Sequence, residues 1–311
     1  MSALAGHVTE YLRLRRGLGF ALVDPGRVLP QFAAWMEAEG HETITIEAAL
    51  VWTQLTVNAS PITLSHRLGA VRGFARYLQS IDPTTQIPPS GMFGTPQRYI
   101  PHIYTDQQLD ALLAASRRLE PALRATTIHA LFGLLIASGM RIGEALGLTG
   151  DDIDLVGEVL TIRYAKFDRD RLVPLHPTVT GMLDDYARHR DRQRSASERG
   201  GPFFVSGDDI ALSYNVVQAA FRAVIAHTGV VTTTGQRPRI HDFRHTFAVN
   251  TLIGWQRDGI DIAGRLPVLS TYLGHVSPAS TYWYLHAVPE LMRHAADRLE
   301  AHAQIAPGSV S

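Results

Sequence analysis

The residues best suited to chemistry lie in four short motifs in the second half of the chain. The first centres on Arg141, which closes an apolar segment and precedes Glu144 by three residues. Another runs from His241 to His245 at the start of a predicted helix. Residues three apart share one helix face, so His241 and Arg244 can converge on one anion. These two motifs suggest anion binding, although a helical Arg-Glu pair and a helix cap would also explain them.

The other two motifs contribute a lysine and a tyrosine. Lys166 is the only lysine among the 29 basic residues, and it ends the first strand of a predicted hairpin. Tyr284 follows His275 by nine residues. A hairpin lysine is commonly solvated and a tyrosine commonly packs between helices, so neither residue is informative alone. The order of the four motifs along the chain carries the interpretation.

This order resembles the tyrosine recombinase (integrase) family, in which Arg, a hairpin Lys, His-x-x-Arg, Gly-His and Tyr follow one another. The resemblance covers residues 102–303, and the N-terminal helical segment is compatible with the family's core-binding domain. It implies a site-specific DNA recombinase that cleaves and rejoins strands through a 3′-phosphotyrosine. The implied catalytic residues are Arg141, Lys166, His241, Arg244, His275 and Tyr284.

The implied roles make physical sense. Two planar guanidinium groups, Arg141 and Arg244, can hold the nonbridging oxygens of an attacked phosphodiester where other enzymes use Mg²⁺. A phenol has a pKa of ~10, so Tyr284 needs nearby cations and a base such as His241. The ammonium of Lys166 can protonate the departing 5′-oxygen, which a guanidinium cannot. The two arginines make a metal unnecessary, and the bond energy kept in the phosphotyrosine makes ATP unnecessary, so no cofactor is expected.

Two features depart from the family's usual pattern. His275 is expected to donate a hydrogen bond to the phosphate, yet it follows Arg244 by 31 residues, which is longer than usual. The excess is expected in a loop at 254–265. Pro278 and Ala279 also replace the more usual acidic and polar residues before the tyrosine. Neither departure removes an implied catalytic group.

A rival nucleophile lies close to the implied one. Tyr282 and Tyr284 are two residues apart, so on a helix they face different directions and at most one enters the site. The nine-residue spacing from His275 favours Tyr284.

Three other functions fit part of the evidence. A metal-dependent phosphohydrolase could use His241, Asp242 and His245, but a third ligand is not evident and Arg244 would repel a cation. A catalytically silent DNA-binding accessory subunit stays open because the formal net charge is zero, whereas DNA-binding proteins usually carry a basic excess. A type IB topoisomerase would share the chemistry, but the two-domain layout favours a recombinase.

The predicted fold class is mainly α with a small antiparallel β hairpin, arranged as a two-domain clamp around duplex DNA. Apolar residues at three-to-four spacing predict N-terminal helices at 8–16, 27–39, 46–57 and 63–79. We expect a core-binding domain over 1–82, a Pro- and Gly-rich linker over 83–101, a catalytic domain over 102–303 and a flexible tail over 304–311. Asp24, Thr45 and Ser60 are predicted helix caps.

Composition points to a reducing, aqueous compartment. The chain has no cysteine, which excludes disulfides and thiolate metal sites. Its first residues lack the apolar core of a signal peptide. The apolar segment at 125–140 is shorter than the ~20 residues needed to span a bilayer and predicts a buried helix. We expect a cytoplasmic protein that associates with the nucleoid when bound to DNA.

The resemblance also implies partners. Double-stranded DNA is the expected substrate, bound by a homotetramer on two sites, with related recombinases or accessory proteins as further partners. Integration, excision or transposition of a mobile element is favoured over chromosome-dimer resolution, and the amphipathic segment at 289–302 is expected to dock on a neighbouring subunit. Candidate DNA contacts, each of which could instead be ordinary surface charge, are Arg13, Arg15, Arg16, Arg67, Arg72, Arg76 and Arg222.

Overall fold

The chain folds into two compact units, residues Met1–Tyr99 and Ile100–Ser311. The structure is a computed structural model. It describes residues 3–94, 99–165, 169–192, 201–207, 210–232, 235, 237–275, 281, 282 and 284. The described residues are mostly helical and include one small antiparallel sheet, which confirms the prediction of a mainly α fold with a small antiparallel β element. Among them, no helix is both long and apolar enough to cross a membrane.

Four helices form the first unit, as predicted. They are α1 (Ala3–Gly17), α2 (Val23–Ala38), α3 (Ile46–Gln54) and α4 (Pro61–Leu78). Their apolar faces meet in one core, where the rings of Phe32 and Trp52 pack edge to face with centroids 5.0 Å apart.

Two of the three predicted helix caps in this unit are confirmed. The side chains of Thr45 and Ser60 accept hydrogen bonds from the backbone N–H groups of Ala48 and Thr63. The predicted Asp24 cap is wrong. Helix α2 begins earlier, after Leu22 in a left-handed conformation, and Asp24 lies in its first turn.

The Pro- and Gly-rich segment after α4 is attached to the first unit. The backbone N–H of Gln86 donates to the carbonyl of Ile44 at 2.7 Å, and the Gln86 side chain accepts from the N–H of Ile46 at 3.0 Å. Arg72 Nε donates to the carbonyl of Pro88 at 2.9 Å. The part of the segment up to residue 94 therefore packs on these helices, and residues 95–98 lie outside the described residues.

The second unit is built around one long buried helix. Helix α6 (Ala122–Ser138) has buried residues along most of its length, as the apolar segment predicted. Phe132 of this helix packs against Phe221 and Phe243, with ring centroids 5.9 and 5.5 Å away. The other helices are α5 (Asp106–Ser116), α7 (Ile142–Leu146), α8 (Pro177–Arg192), α9 (Tyr214–Thr228), α10 (Asp242–Arg257) and α11 (Ile262–Leu273).

The predicted hairpin is present and gains one short strand. Strands β1 (Ile153–Asp154), β2 (Val159–Ala165) and β3 (Arg169–Pro174) pair antiparallel in that order. Leu160 pairs with Val173, and both side chains are buried. Residues 166–168, between β2 and β3, lie outside the described residues.

The predicted loop at 254–265 is wrong, because most of this segment is helical. Helix α10 continues to Arg257 and α11 begins at Ile262, so only 258–261 connect them. The side chain of Asp261 caps α11 by accepting from the N–H groups of Ala263 and Gly264. Of the glycines at 254, 259 and 264, only Gly259 adopts a positive φ, +70°.

Candidate active site

The ends of two helices and the starts of two others position the predicted catalytic residues of the second unit. Gly139 ends α6 at φ +60° and Arg141 follows it, immediately before α7. Arg244 lies in the first turn of α10. Gly274 ends α11 at φ +66°, so that His275 directly follows this helix end. Left-handed glycines turn the chain sharply at both places, which brings distant parts of the sequence together.

Arg244 is the most buried cation of the site. Its side chain is 2% exposed, and its two terminal nitrogens donate to the carbonyls of Gly139 and Leu273 at 2.9 and 2.6 Å. These carbonyls belong to the C-terminal ends of α6 and α11, where backbone acceptors lack helical partners and a cation is favoured. Burial, followed by the nearby Arg141, lowers the pKa of Arg244 to about 10, so it stays charged at neutral pH.

Arg141 shares an acidic partner with a second arginine. Glu144 accepts from Arg141 Nη1 at 2.7 Å and from the Arg141 backbone N–H at 2.8 Å. It also accepts two hydrogen bonds from Arg171 of β3, at 3.1 and 2.8 Å. Arg141 Nη2 donates to the carbonyl of Gly274 at 2.7 Å. Glu144 therefore braces Arg141.

Arg171 is a site residue that sequence reasoning missed. Its side chain is only 12% exposed, and its guanidinium pairs with a carboxylate that is 13% exposed. Residues two apart in a strand share one face, so Arg171 lies on the same side of β3 as the buried Val173. In the sequence, the adjacent apolar residues Leu172 and Val173 hide this alternation, so no local pattern marked Arg171 as buried.

We expect Glu144→Gln to destabilise the second unit by roughly 3–5 kcal/mol, because removing one partner of a buried ion pair leaves an uncompensated charge. Glutamine keeps the size of the side chain but removes the charge between two guanidinium groups. Chemical denaturation measures the change in free energy of unfolding. Asp24→Asn is the control, since its pair with Arg27 is about three-quarters exposed on both sides. Equal losses for both variants would contradict the expectation.

Three histidines lie around the arginines. The rings of His241 and His245 are one helical turn apart and pack edge to face, with centroids 4.8 Å apart. Nδ1 of His275 lies 2.7 Å from the hydroxyl of Thr281. The pKa values of His241 and His275 are lowered to about 4, mainly by burial and then by nearby cations. The pKa of His245 is lowered to about 3, mainly by burial and then by the neighbouring His241 and Arg244.

These histidines predict a loss of stability on acidification. Their folded pKa values lie below the ordinary value of ~6.5, so at mildly acidic pH the unfolded state binds more protons. The free energy of unfolding should therefore fall as the pH drops from about 6.5 towards 4. Each histidine contributes at most ~1.4 kcal/mol per pH unit, and less where solvent reaches it.

Denaturant titrations at several pH values measure this slope. His245→Asn should flatten it, whereas His227→Asn, at an exposed position of α9, should not. A wild-type stability that is constant between pH 7 and 5 would contradict the expectation.

Tyr284 is buried at the centre of this group. Its side chain is 2% exposed, and its hydroxyl lies 3.1 Å from Nδ1 of His245 and near the guanidinium of Arg244. The His275 ring is stacked beside it, with centroids 6.3 Å apart. Burial raises the pKa of Tyr284, and the charges of Arg244 and Arg141 oppose that rise. Tyr282, the rival nucleophile, is 49% exposed.

The structure thus brings together five of the six predicted catalytic residues. Lys166 lies outside the described residues, between β2 and β3. The segment at 289–302 also lies outside them. Among the described residues, no three His, Asp or Glu side chains group where they could hold a metal ion.

The candidate DNA contacts divide into two groups. Arg13, Arg16, Arg76 and Arg222 are exposed. The others are half-buried and engaged within the first unit: Arg15 packs over Phe20 and Arg67 over Trp52, each 3.9 Å from the ring centre, and Arg72 donates to the carbonyls of Pro88 and Pro89.

Comparison with known proteins bears on the family. Residues 103–290 match the Phage integrase family. The chain is 44% identical over 308 residues to a protein of Sinorhizobium fredii (strain NBRC 101917 / NGR234) named integrase/recombinase y4rB, covering 96% of this chain and 98% of that protein. It is 27% identical over 297 residues to tyrosine recombinase XerD of Lacticaseibacillus casei, covering 92% of this chain and 94% of that protein.

Solved structures share the fold. The XerH site-specific recombinase in a post-cleavage complex with palindromic difH substrate matches with a TM-score of 0.63 and 19% identity, covering 88% of this chain and 78% of that chain. The Tn1549 transposon integrase in complex with transposon right end DNA matches with a TM-score of 0.65 and 14% identity, covering 96% and 100%. The family match over most of the second unit and the 44% identity along nearly the whole chain show that this protein belongs to the phage integrase family of tyrosine recombinases.

Proposed function

We propose that the protein is a site-specific DNA recombinase that cleaves and rejoins strands through a 3′-phosphotyrosine on Tyr284, without metal or ATP. The observation that carries the proposal is the position of the Tyr284 hydroxyl, which is buried between Arg244 and His245. A buried phenol with a cation and an imidazole at its oxygen is arranged as an activated nucleophile. An interface tyrosine would not need this set of partners.

The proposed phosphate site lies between the two arginines. Arg141 and Arg244 both donate to backbone carbonyls at the end of α11, at Gly274 and Leu273, so their guanidinium groups lie close together. Each guanidinium has five N–H donors, and the carbonyls use only some of them. The remaining donors can hold the nonbridging oxygens as negative charge develops. His241 and His275 flank this place, and Lys166 protonates the leaving 5′-oxygen.

We also propose double-stranded DNA as the substrate and a homotetramer on two sites as the active assembly. The likeness to recombinases solved with DNA supports DNA binding. The exposed Arg13, Arg16 and Arg76 of the first unit and Arg222 of α9 are the proposed phosphate contacts. The proposed role is integration, excision or transposition of a mobile element, in the cytoplasm and on the nucleoid.

The test is to detect a covalent protein–DNA adduct and to identify the residue that carries it. Nicked duplexes with the sequence that flanks the gene are incubated with the protein in EDTA and resolved on a denaturing gel. The adduct is then digested, and the nucleotide-linked peptide is sequenced by mass spectrometry. We expect the nucleotide on Tyr284, and fragment spectra distinguish it from Tyr282.

Other outcomes decide between the alternatives. An adduct on a different residue would overturn the assignment of the nucleophile. An adduct that forms only when a divalent metal is added would overturn the metal-free mechanism. Specific DNA binding without any adduct would favour the catalytically silent accessory subunit.

A further inference from the structure

We infer that His245 is the catalytic base that accepts the phenol proton of Tyr284, an inference that rests on the recombinase function proposed above. Nδ1 of His245 lies 3.1 Å from the Tyr284 hydroxyl oxygen. This distance is within the reach that direct proton transfer requires. His241, the base expected from sequence, lies one turn earlier on the same helix, with its ring packed edge to face against His245.

The groups around the phenol allow its proton to move to His245. A guanidinium has only donors, so the nearby Arg244 cannot accept this proton. The phenol retains one O–H of its own, and Nδ1 of His245 is a basic atom at hydrogen-bonding distance. With Nδ1 as acceptor, the neutral imidazole carries its proton on Nε2. Arg244 stabilises the developing phenolate while His245 takes its proton.

The charges around His245 make this base dependent on bound phosphate. Burial, followed by the fields of His241, Arg244 and His275, lowers the pKa of His245 to about 3 in the free protein. A phosphodiester held by Arg141 and Arg244 brings a negative charge close to His245. An opposite charge nearby favours the protonated imidazole, so DNA binding raises the proton affinity of His245. The nucleophile is then activated only after the substrate is in place.

The step is balanced in atoms and charge. The O–H bond of Tyr284 breaks and its proton moves to Nδ1 of His245. The phenol oxygen bonds to phosphorus while the bond from phosphorus to the 5′-oxygen breaks. The electron pair leaves on the 5′-oxygen, which takes a proton from Lys166. In religation the same transfers run in reverse, and His245 returns the proton to the phenol.

The test compares single-turnover rates of adduct formation. His245→Asn places an amide oxygen near the position of Nδ1, so it preserves a hydrogen-bond acceptor but cannot take up a proton. We expect it to slow cleavage by ~10²–10⁴-fold, the usual contribution of a general base, with DNA affinity unchanged. His227→Asn, at an exposed position of α9, is the matched control and should cleave at the wild-type rate.

A change in phenol acidity separates base catalysis from a merely structural role. Difluorotyrosine incorporated at position 284 has a lower phenol pKa than tyrosine. The reaction therefore depends less on proton removal by His245. We expect fluorination to recover part of the lost rate in His245→Asn. If that variant folds poorly, His245→Ala with added imidazole serves instead, and its rate should rise with the imidazole concentration.

Two kinds of negative result would overturn different parts of the proposal. A wild-type rate in His245→Asn, or a deficit that neither fluorination nor imidazole reduces, would overturn the role of His245 alone. Absence of any adduct in the wild-type protein would overturn the recombinase function and this inference with it.

Discussion

Replacing Tyr284 by phenylalanine is expected to abolish the covalent adduct while specific DNA binding persists. Phenylalanine has the same ring but no atom that can bond to phosphorus, so cleavage should fall by roughly 10⁴–10⁶-fold, as on removal of other nucleophiles. The hydroxyl also contacts His245 and Arg244. Its removal should cost ~1–3 kcal/mol in free energy of unfolding, because buried partners lose a hydrogen bond. The adduct gel measures the first effect and chemical denaturation the second.

Tyr282→Phe is the matched control for this variant. It makes the same chemical change two residues away, on a side chain that is 49% exposed. We expect normal adduct formation and unchanged stability. An adduct that persists in Tyr284→Phe and disappears in Tyr282→Phe would reverse the assignment of the nucleophile.

Replacing Arg244 by alanine is expected to damage both the fold and the reaction. The two carbonyls that receive its hydrogen bonds, at Gly139 and Leu273, would lose a donor in a buried place. At ~1–3 kcal/mol for each unsatisfied group, the free energy of unfolding should fall by roughly 2–6 kcal/mol. Loss of the charge that faces the phosphate should slow cleavage by at least ~10²–10³-fold. Denaturation and single-turnover adduct formation measure the two losses.

The control for Arg244 lies on the same helix. Arg257 is exposed near the C-terminal end of α10, and Arg257→Ala should leave the rate unchanged and the stability nearly so. Arg244→Lys tests the geometry, since an ammonium carries all its donors on one nitrogen, whereas the guanidinium uses two nitrogens for the two carbonyls. A lysine variant with wild-type stability would show that the two backbone bonds contribute little.

Regular elements of this protein were largely predictable from sequence. The buried helix α6, the four N-terminal helices and the hairpin follow from apolar periodicity, which depends on neighbouring residues only. The loop expected at 254–265 failed for a local reason. Gly254 and Gly264 both lie inside helices, and the cap at Asp261 determines where α11 begins.

The sequence predicted which residues form the site better than it predicted how they contact one another. The order of motifs pointed to Arg141, Arg244, His275 and Tyr284, which the fold brings together. Arg171 was missed because its partner Glu144 is 27 residues away and meets it only when β3 packs beside α7. The contact of His245 with the phenol depends likewise on the placement of Tyr284 beside α10. No short-range pattern in the sequence reports such a placement.

The double attachment of Arg244 to the ends of α6 and α11 bears on how activity is inferred from motifs. A chain of this fold that had lost catalysis would still need this arginine, because without it two helix ends lose their common donor. The tyrosine hydroxyl contributes less to the stability of the fold, so its loss would have smaller consequences for folding. In a comparison of such chains, a retained Tyr284 is therefore a better indicator of strand cleavage than a retained Arg244.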